Sequence, residues 1–154
     1  MIEKASINDT TKITTIVNES NKEYYKNIIS KEFFKDPVVS IDDILEDFNR
    51  MDFYLYKIKS KAVGVSSLMI KEDLGVICKM YVLPEYQNKG VGTKLMKDLE
   101  MKAKKLKLKK LRLLAIWSNN KKIIDFYEKF GFKIVEKIER EWAIDCIMEK
   151  ELNI

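Results

Sequence analysis

The sequence predicts a mixed α/β domain in which a mostly antiparallel sheet contains one parallel β-α-β unit and is flanked by helices. The hydrophobic period changes from helical to strand-like near residue 53, and three strands follow in series. A strand, loop, helix and strand then span 76–116, and a crossover of this kind makes its two strands parallel. With 154 residues, 46% of them hydrophobic, the chain is expected to form a single domain over 1–154.

The first third of the chain is predicted to be a short strand followed by helices. Asp9 is placed to cap the first helix, and Pro37 interrupts the helical pattern that precedes it. Ser40 and Asp43 have the spacing of a capping box at the start of a further helix. The predicted elements are a strand over 2–7 and helices starting near Thr10, over 24–34 and over 41–51.

The remaining two thirds alternate between strand and helix patterns. The stretch 110–116 is nearly continuously apolar, which is typical of a strand in the middle of a sheet. Gly131 follows an amphipathic stretch at a position where a left-handed residue ends helices. The predicted strands are 53–58, 62–70, 76–83, 110–116, 132–138 and 142–148, and the predicted helices are 90–106 and the stretch around 123–130.

Composition excludes several kinds of chemistry. The chain has no histidine, so it cannot contain a histidine-activated nucleophile or a histidine-based zinc site, and no metal is expected. Its two cysteines form no CxxC pair, and its net charge of +5 favours anionic partners. No apolar run is long enough to span a bilayer, and residues 1–5 lack a secretory pattern, so a cytoplasmic protein without membrane contact is expected.

The segment 84–92 turns a strand into a helix, and its glycines allow the backbone to approach a ligand closely. The first amides of a helix have no partner inside the helix and favour anions, and Lys89 and Lys94 add positive charge there. On its own, Gly90-Val91-Gly92 is equally compatible with a tight turn. The glycine patterns of Rossmann folds and P-loops are both absent from the sequence.

Two longer stretches are more specific than these glycines. Residues 81–92, YVLPEYQNKGVG, resemble the cofactor signature of the GCN5-related N-acetyltransferase (GNAT) family, and residues 120–132, NKKIIDFYEKFGF, are similar to a second family segment. Ile123 departs from the alanine that is usual in that segment. The resemblance implies a GNAT-like fold and an enzyme that transfers an acetyl group from acetyl-CoA to an amine.

The family resemblance also implies roles for individual residues. Backbone groups of Met80, Tyr81 and Val82 would pair with the pantetheine arm of acetyl-CoA, Asn120 would hydrogen-bond the cofactor, and Tyr127 would point at the sulfur. The amides expected to hold the pyrophosphate belong to Gln87, Asn88, Lys89, Gly90, Val91, Gly92 and Thr93.

Transfer of an acyl group from a thioester to an amine needs a proton for the departing thiolate, and Tyr127 can supply it because a phenol stays protonated at neutral pH. As an isolated residue, Tyr127 would be interpreted as core beside Phe126 and Phe130. Within the family segment, the catalytic interpretation is favoured over packing.

The base that assists the amine is not assigned by the sequence. Some family members have a glutamate on the strand where this chain has Val76, so Glu72, Asp73 or a carboxylate acting through water remain alternatives. Cys78 is a conceivable acyl-carrying nucleophile, but with no histidine partner a packing role is favoured.

Charge is distributed unevenly along the chain. Residues 94–112 contain nine Lys and Arg, which form either a patch that attracts CoA phosphates or a solvated face; nucleic acid is disfavoured because no aromatics are interleaved. The acidic residues of 31–52 lead to the hypothesis of a cationic acceptor, such as a polyamine, an aminoglycoside-like amine or a lysine side chain. They are Glu32, Asp36, Asp42, Asp43, Glu46, Asp47 and Asp52.

Three alternatives stay open. A protein N-terminus is the second candidate acceptor, and a CoA-binding sensor without turnover is the rival to an enzyme. Trp142 and the last strands line either the acceptor pocket or an interface between subunits, and a homodimer is the third alternative.

Overall fold

The computed structural model describes residues 1–28 and 35–152, and it confirms a mixed α/β fold. The strands are β1 (Ile2–Lys4), β2 (Asp52–Ile58), β3 (Lys61–Lys71), β4 (Leu74–Val82), β5 (Lys110–Ile116), β6 (Lys133–Glu139) and β7 (Ile144–Glu151). The helices are α1 (Thr10–Ile28), α2 (Ile41–Asp47), α3 (Val91–Lys105) and α4 (Lys121–Lys129). Within these ranges, no helix has the length and apolar character needed to cross a membrane.

The strands form one sheet in the order β1-β2-β3-β4-β5-β7-β6. All neighbouring strands are antiparallel except β4 and β5, which are parallel and joined through α3, as the sequence predicted. The last strand, β7, lies between β5 and β6 rather than at the edge. The sheet is therefore mostly antiparallel, with the parallel unit in its middle.

Helices cover the two faces of the sheet differently. On one face, α1 and α2 pack over β2, β3 and β4, and the core there includes Ile13, Ile44 and Phe53. On the opposite face, α3 packs so closely on β3 that a Cβ added to Gly64 would lie 2.9 Å from a methyl carbon of Val91. The start of α3, which follows the predicted cofactor loop, is therefore held directly against the sheet.

The N-terminal elements differ from the prediction in their boundaries. The first strand ends at Lys4 because Ile7–Asp9 forms a 3₁₀ turn. The Asp9 carboxylate accepts a hydrogen bond from the backbone N–H of Ser6 at 3.0 Å, so Asp9 braces the turn ahead of α1 and is not the cap residue itself. Helix α1 continues through the predicted start of a second helix at residue 24, and residues 29–34 of that prediction lie outside the described residues.

The capping box ahead of α2 is confirmed. The backbone N–H of Asp43 donates to the Ser40 hydroxyl at 3.0 Å, and the Ser40 N–H donates to the Asp43 carboxylate at 2.9 Å. The helix ends at Asp47, earlier than the predicted end at 51, because the chain turns before entering β2. The predicted stop of α4 is confirmed as well, since Gly131 has a φ of 94°.

Candidate active site

A cleft opens in the middle of the sheet, between β4 and β5. Their parallel pairing runs from Leu74 and Lys110 to Ile77 and Leu113 and ends there. Beyond Leu113, β5 stays paired with β7. The two central strands therefore diverge at their carboxyl ends, which leaves room for an extended ligand between them.

A β-bulge on β4 lies at the point of divergence. Ser66 of β3 pairs with Met80 and Leu68 pairs with Ile77, so that Cys78 and Lys79 together stand opposite one residue of β3. The backbone N–H of Lys79 donates to the Ser67 hydroxyl at 2.8 Å, which satisfies the donor that the bulge displaces from the ladder. Because bulges bend a strand and increase its twist, this one turns the end of β4 away from β5.

The loop after β4 is built from short-range hydrogen bonds. The N–H of Tyr86 donates to the carbonyl of Leu83 at 2.9 Å, which forms a tight turn over Pro84. The side-chain amide of Gln87 donates to the carbonyl of Val82 at 2.9 Å and ties the loop back to the end of the strand. These bonds direct the following residues toward the start of α3.

The N-terminus of α3 has the form of an anion site. Gly90, the residue before the helix, has a φ of 84°, and a Cβ added to it would meet nothing within 4 Å. The first-turn amides after Gly90 carry the positive end of the helix dipole. An open space in front of such amides fits a pyrophosphate. A Cβ added to Gly92 would lie 3.6 Å from the ring of Phe126, so α4 flanks the same helix end.

Positive charge lies beside this loop, and tyrosine rings hold it. The Lys89 ammonium lies 5.7 Å from the centre of the Tyr86 ring, and the Lys61 ammonium lies 5.5 Å from it. The Lys94 ammonium donates to the Tyr56 hydroxyl at 3.2 Å. Other cations of the basic stretch 94–112 form ion pairs with carboxylates: Lys102, Lys104, Lys109, Lys110 and Arg112. Lys89 and Lys94 are therefore the stronger candidates for contact with cofactor phosphates.

Asn120 connects α4 to the end of β5. It is 5% exposed, and its side-chain amide donates to the carbonyl of Ile116 at 2.7 Å. Ile116 is the last residue of β5 and lies beyond the point where the cleft opens. The amide thus fixes one wall of the cleft, while its hydrogen bond to the cofactor stays a prediction.

Tyr127 is buried on α4, with 8% of its surface exposed. Its ring packs edge-on against Phe126 at 5.2 Å and against Phe132 at 5.8 Å between ring centres. Met80 of β4 and Ala115 of β5, one from each wall of the cleft, pack against the same cluster. The ring is therefore part of the core and lies in the same cluster as a side chain from each wall of the cleft.

The carboxylates that the sequence left open as bases lie at the wrong end of β4. Glu72 and Asp73 form the turn before this strand, and the Asp73 carboxylate pairs with Lys109 at 3.5 Å. Five residues of extended chain separate Asp73 from Cys78, which is about 16 Å. Neither carboxylate can therefore reach an amine at the cleft directly.

Cys78 lies in the bulge, where burial raises the pKa of its thiol. Its Sγ lies 3.8 Å from the carbonyl of Val76, to which the thiol donates. A raised pKa keeps sulfur in the weakly nucleophilic thiol form at neutral pH. The structure therefore favours the packing role over an acyl-carrying one.

The acidic residues of 31–52 have separate roles in the structure. Asp43 belongs to the capping box, Asp52 pairs with Lys4 at 3.7 Å, and Glu32 lies outside the described residues. Asp47 is 8% exposed, and its carboxylate pairs with Arg50 and, at 3.8 Å, with Lys79 of the bulge. The exposed carboxylates of α2 are Asp42, Asp43 and Glu46.

Sequence reasoning missed a second buried carboxylate near the cleft. Asp145 of β7 is 7% exposed and accepts a hydrogen bond from Nε of Arg140 at 3.1 Å. It pairs across the sheet with Ile116. A charged residue inside an otherwise apolar strand over 144–148 was the available signal, because a buried charge needs a partner.

Comparison with known proteins agrees with this architecture. The sequence model of the Acetyltransferase (GNAT) family matches residues 14–132. The chain is 27% identical to a spermidine N(1)-acetyltransferase of Thermoplasma acidophilum, over 97% of this chain and 96% of that protein. The crystal structure of the PaiA N-acetyltransferase from Thermoplasma acidophilum in complex with coenzyme A superposes with a TM-score of 0.80, at 27% identity and 98% coverage of both chains.

A more distant structure shares the fold alone. The ribosomal-protein-S18-alanine N-acetyltransferase of Escherichia coli superposes with a TM-score of 0.83 at 17% identity, over 100% of this chain and 94% of that one. The fold, in which the central strands separate next to the helix that follows Gly90, is that of the acyl-CoA-binding N-acyltransferases. The chain belongs to the GNAT family, and it is an acetyl-CoA-dependent N-acetyltransferase.

Proposed function

We propose that this enzyme acetylates a primary amine of a polyamine-like molecule or of a protein lysine, by direct transfer in the cleft between β4 and β5. The observation that carries the proposal is the meeting of three features at one end of the sheet. They are the divergence after Ile77 and Leu113, the open helix end at Gly90, and the buried phenol of Tyr127.

Acetyl-CoA supplies an acetyl group activated as a thioester. The residues proposed to hold it are the loop and first-turn amides of 87–93 for the pyrophosphate, with Lys89 and Lys94 adding charge. The backbone of Met80, Tyr81 and Val82 would pair with the pantetheine amides, in the way that an extended peptide adds to a sheet edge. The divergence of β5 from this stretch supports that assignment.

Tyr127 is proposed as the general acid that protonates the departing thiolate, and its phenolate then regains a proton from the nitrogen, which loses one as the amide forms. Its ring is held in place by Phe126 and Phe132, so little entropy is lost in positioning the phenol. A neutral phenol gives up its proton only to a strongly basic partner, and a thiolate released in an apolar site is such a partner. Direct transfer is favoured over an acyl-cysteine route because burial raises the pKa of Cys78.

The acceptor amine must lose its own proton before it can attack. With a pKa near 10.4, an alkyl amine is uncharged only about once in a few thousand molecules at pH 7. Because Glu72 and Asp73 lie at the far end of β4, we assign the proton to water leaving through the open cleft and not to either of these side chains.

A polyamine-like acceptor is favoured over a peptide. The Thermoplasma relative at 27% identity is named for spermidine, and the exposed carboxylates Asp42 and Glu46 on α2 would attract cations. Acetylation of a protein N-terminus is the second candidate, because the Escherichia coli neighbour with the same fold is named for an alanine of a ribosomal protein.

A thiol-release assay tests the proposal. The panel contains acetyl-CoA with spermidine, spermine, butylamine, a lysine peptide with a blocked N-terminus, and a peptide with a free N-terminus and no lysine. Release of free CoA with the polyamines, and an acetylated amine found by mass spectrometry, is the expected result. If the protein binds acetyl-CoA but releases no thiol with any amine, it is a CoA sensor.

A homodimer stays a prediction. Trp142 lies in the turn between β6 and β7 and is 43% exposed, so a ring of this size is available either to the acceptor or to a second subunit. Light scattering at several protein concentrations tests whether a second subunit binds.

A further inference from the structure

The half of the sheet formed by β5, β7 and β6 has one face turned away from α4. Side chains alternate along a strand, and Leu113 and Met148, which pair with each other, are buried toward α3 and α4. Their neighbours Leu114 and Ile147 therefore point to the opposite face. Leu114 is 58% exposed, which shows that this face lies open to solvent.

Aliphatic side chains occur on all three strands near this open face. Leu114 pairs with Ile147, which stands opposite Glu136 of β6, and the neighbouring bulge residue Val135 is 55% exposed. One row further along the strands, Ile116 pairs with Asp145, which in turn pairs with Ile138. Asp145 is therefore a carboxylate set among aliphatic side chains.

The carboxylate of Asp145 is buried although its face of the sheet is open. The Asp145 side chain is 10% exposed, whereas its partner Arg140 is 38% exposed and reaches in from the turn before β7. A carboxylate in aliphatic surroundings needs a cation, and here the partly exposed guanidinium of Arg140 supplies it from the surface.

The position of Asp145 relates this carboxylate to the cleft. Its strand partner Ile116 is three residues beyond Leu113, where β5 has already left β4. Asn120 holds the carbonyl of the same Ile116. The end of β5 thus separates α4, which carries Tyr127, from the face that carries Asp145. An acceptor lying on this open face would present one end to the cleft.

We propose that Asp145 binds the distal ammonium group of a polyamine-type acceptor, in exchange for Arg140, while the aliphatic side chains of Leu114 and Ile116 contact its methylene groups. This inference rests on the proposed function and names the residue that selects the acceptor. A polyamine alternates ammonium groups with short methylene chains, and a carboxylate ringed by aliphatic side chains is complementary to that pattern. The reacting amine remains uncharged, so its own binding does not depend on Asp145.

Glu149 provides a matched control on the same strand. It is separated from Asp145 by four positions, so it lies on the same face, but it stands opposite Arg112 in the part of β5 that is still paired with β4. Its carboxylate is bound by Arg112 at 2.6 Å and by Lys110 at 3.2 Å. A general loss of negative charge from this face would therefore be reproduced by Glu149→Gln.

The test compares Asp145→Asn, Arg140→Gln and Glu149→Gln with the wild type, using spermidine and butylamine as acceptors. Loss of a charge-assisted bond is expected to raise the KM for spermidine about tenfold in Asp145→Asn. The KM values for butylamine and acetyl-CoA stay within about twofold. Removing the competing cation in Arg140→Gln lowers the spermidine KM, and Glu149→Gln leaves it unchanged.

Opposite outcomes overturn the inference. An unchanged spermidine KM in Asp145→Asn, or an equal rise for butylamine, removes Asp145 from acceptor selection. A rise in Arg140→Gln that equals that of Asp145→Asn assigns the pair to the structure of the turn. Calorimetric titration of the CoA-bound protein with spermidine keeps the two proposals separate. If no thiol is released but spermidine binds and Asp145→Asn weakens it, only the proposed reaction fails; if the wild type does not bind spermidine, the Asp145 site fails.

Discussion

The side-chain amide of Asn120 donates to the carbonyl of Ile116 across 2.7 Å, and this bond ties the start of α4 to the end of β5. The strand leaves its parallel partner three residues earlier, at Leu113, so its last residues depend on β7 and on this amide for their position. One wall of the cleft and the helix that carries Tyr127 are thereby held in a fixed relation. If the bond were lost, the wall and the helix could move independently of each other.

Tyr127→Phe is expected to lower kcat by about 10²- to 10⁴-fold, because it removes the proton donor and keeps the ring that packs on Phe126 and Phe132. The affinity for CoA should change little, and the protein should stay folded. Steady-state kinetics, CoA titration and thermal melting measure the three quantities. Tyr54→Phe is the control, since Tyr54 is also buried in this cluster but lies on β2; an equal loss of kcat in the control would assign the effect to packing.

Gly90→Asp is expected to abolish CoA binding. The φ of 84° is strained for a residue with a side chain, by about 1–2 kcal/mol, and a carboxylate would stand in front of the first amides of α3. Gly131→Asp imposes comparable strain, at a φ of 94°, after α4 and near the flexible side chain of Lys150. Binding by equilibrium dialysis should be lost in the first variant and kept in the second. Loss in both would mean that strain, and not the anion site, controls binding.

Gly64→Ala is expected to weaken CoA binding from behind the site. The new methyl group would lie 2.9 Å from Val91 and 3.1 Å from Leu95, so the first turn of α3 must shift. Overpacking of this kind costs about 1–3 kcal/mol of stability. Gly75→Ala is similarly crowded, with its new methyl group 2.9 Å from Leu111. Gly75 lies near the start of β4, however, whereas Gly64 of β3 pairs with Val82 at the end of β4.

Chemical denaturation should show that both glycine variants are destabilised. Titration with CoA should show reduced affinity in Gly64→Ala alone. If the two variants bind CoA with equal affinity, the position of α3 does not control cofactor binding.

Cys78 is expected to react slowly with iodoacetamide at neutral pH. Burial raises the pKa of the thiol above its ordinary value near 9, so the reactive thiolate is scarcer at pH 7 to 8 than in an unfolded chain, and the rate should rise only as the pH exceeds that value. Cys78→Ala should keep its turnover. Mass spectrometry measures both labelling and any acetylated cysteine; an acetyl group found on Cys78 during turnover would support the acyl-enzyme route.

The order of helices and strands could be predicted from the sequence because each element has its own hydrophobic period. The loop 84–92 was recognisable because residues 81–92 resemble the family's cofactor signature, and the structure adds that Gly90 there has a left-handed backbone. The limits of β1 and α2 were wrong, since the ends at Lys4 and Asp47 depend on turns whose hydrogen bonds leave no periodic trace.

The features that required the structure are those that depend on partners far along the chain. The bulge at Cys78 and Lys79 exists only relative to β3, and the insertion of β7 between β5 and β6 is a matter of topology. Asp145 was overlooked because a lone charge in a strand acquires meaning only when its neighbours on β5 are known. The roles of Tyr127, Asn120 and the amides of 87–93 stay predictions that the structure accommodates.

Because β4 and β5 separate in the middle of the sheet, the ligand-free protein has unpaired strand edges there. Beyond Ile77 and Leu113, the facing edges of β4 and β5 form no hydrogen-bonded ladder with each other. Strand edges are templates on which other chains can assemble. CoA bound between these strands, as proposed, would cover both edges, so the cofactor is expected to reduce aggregation as well as to supply the acetyl group.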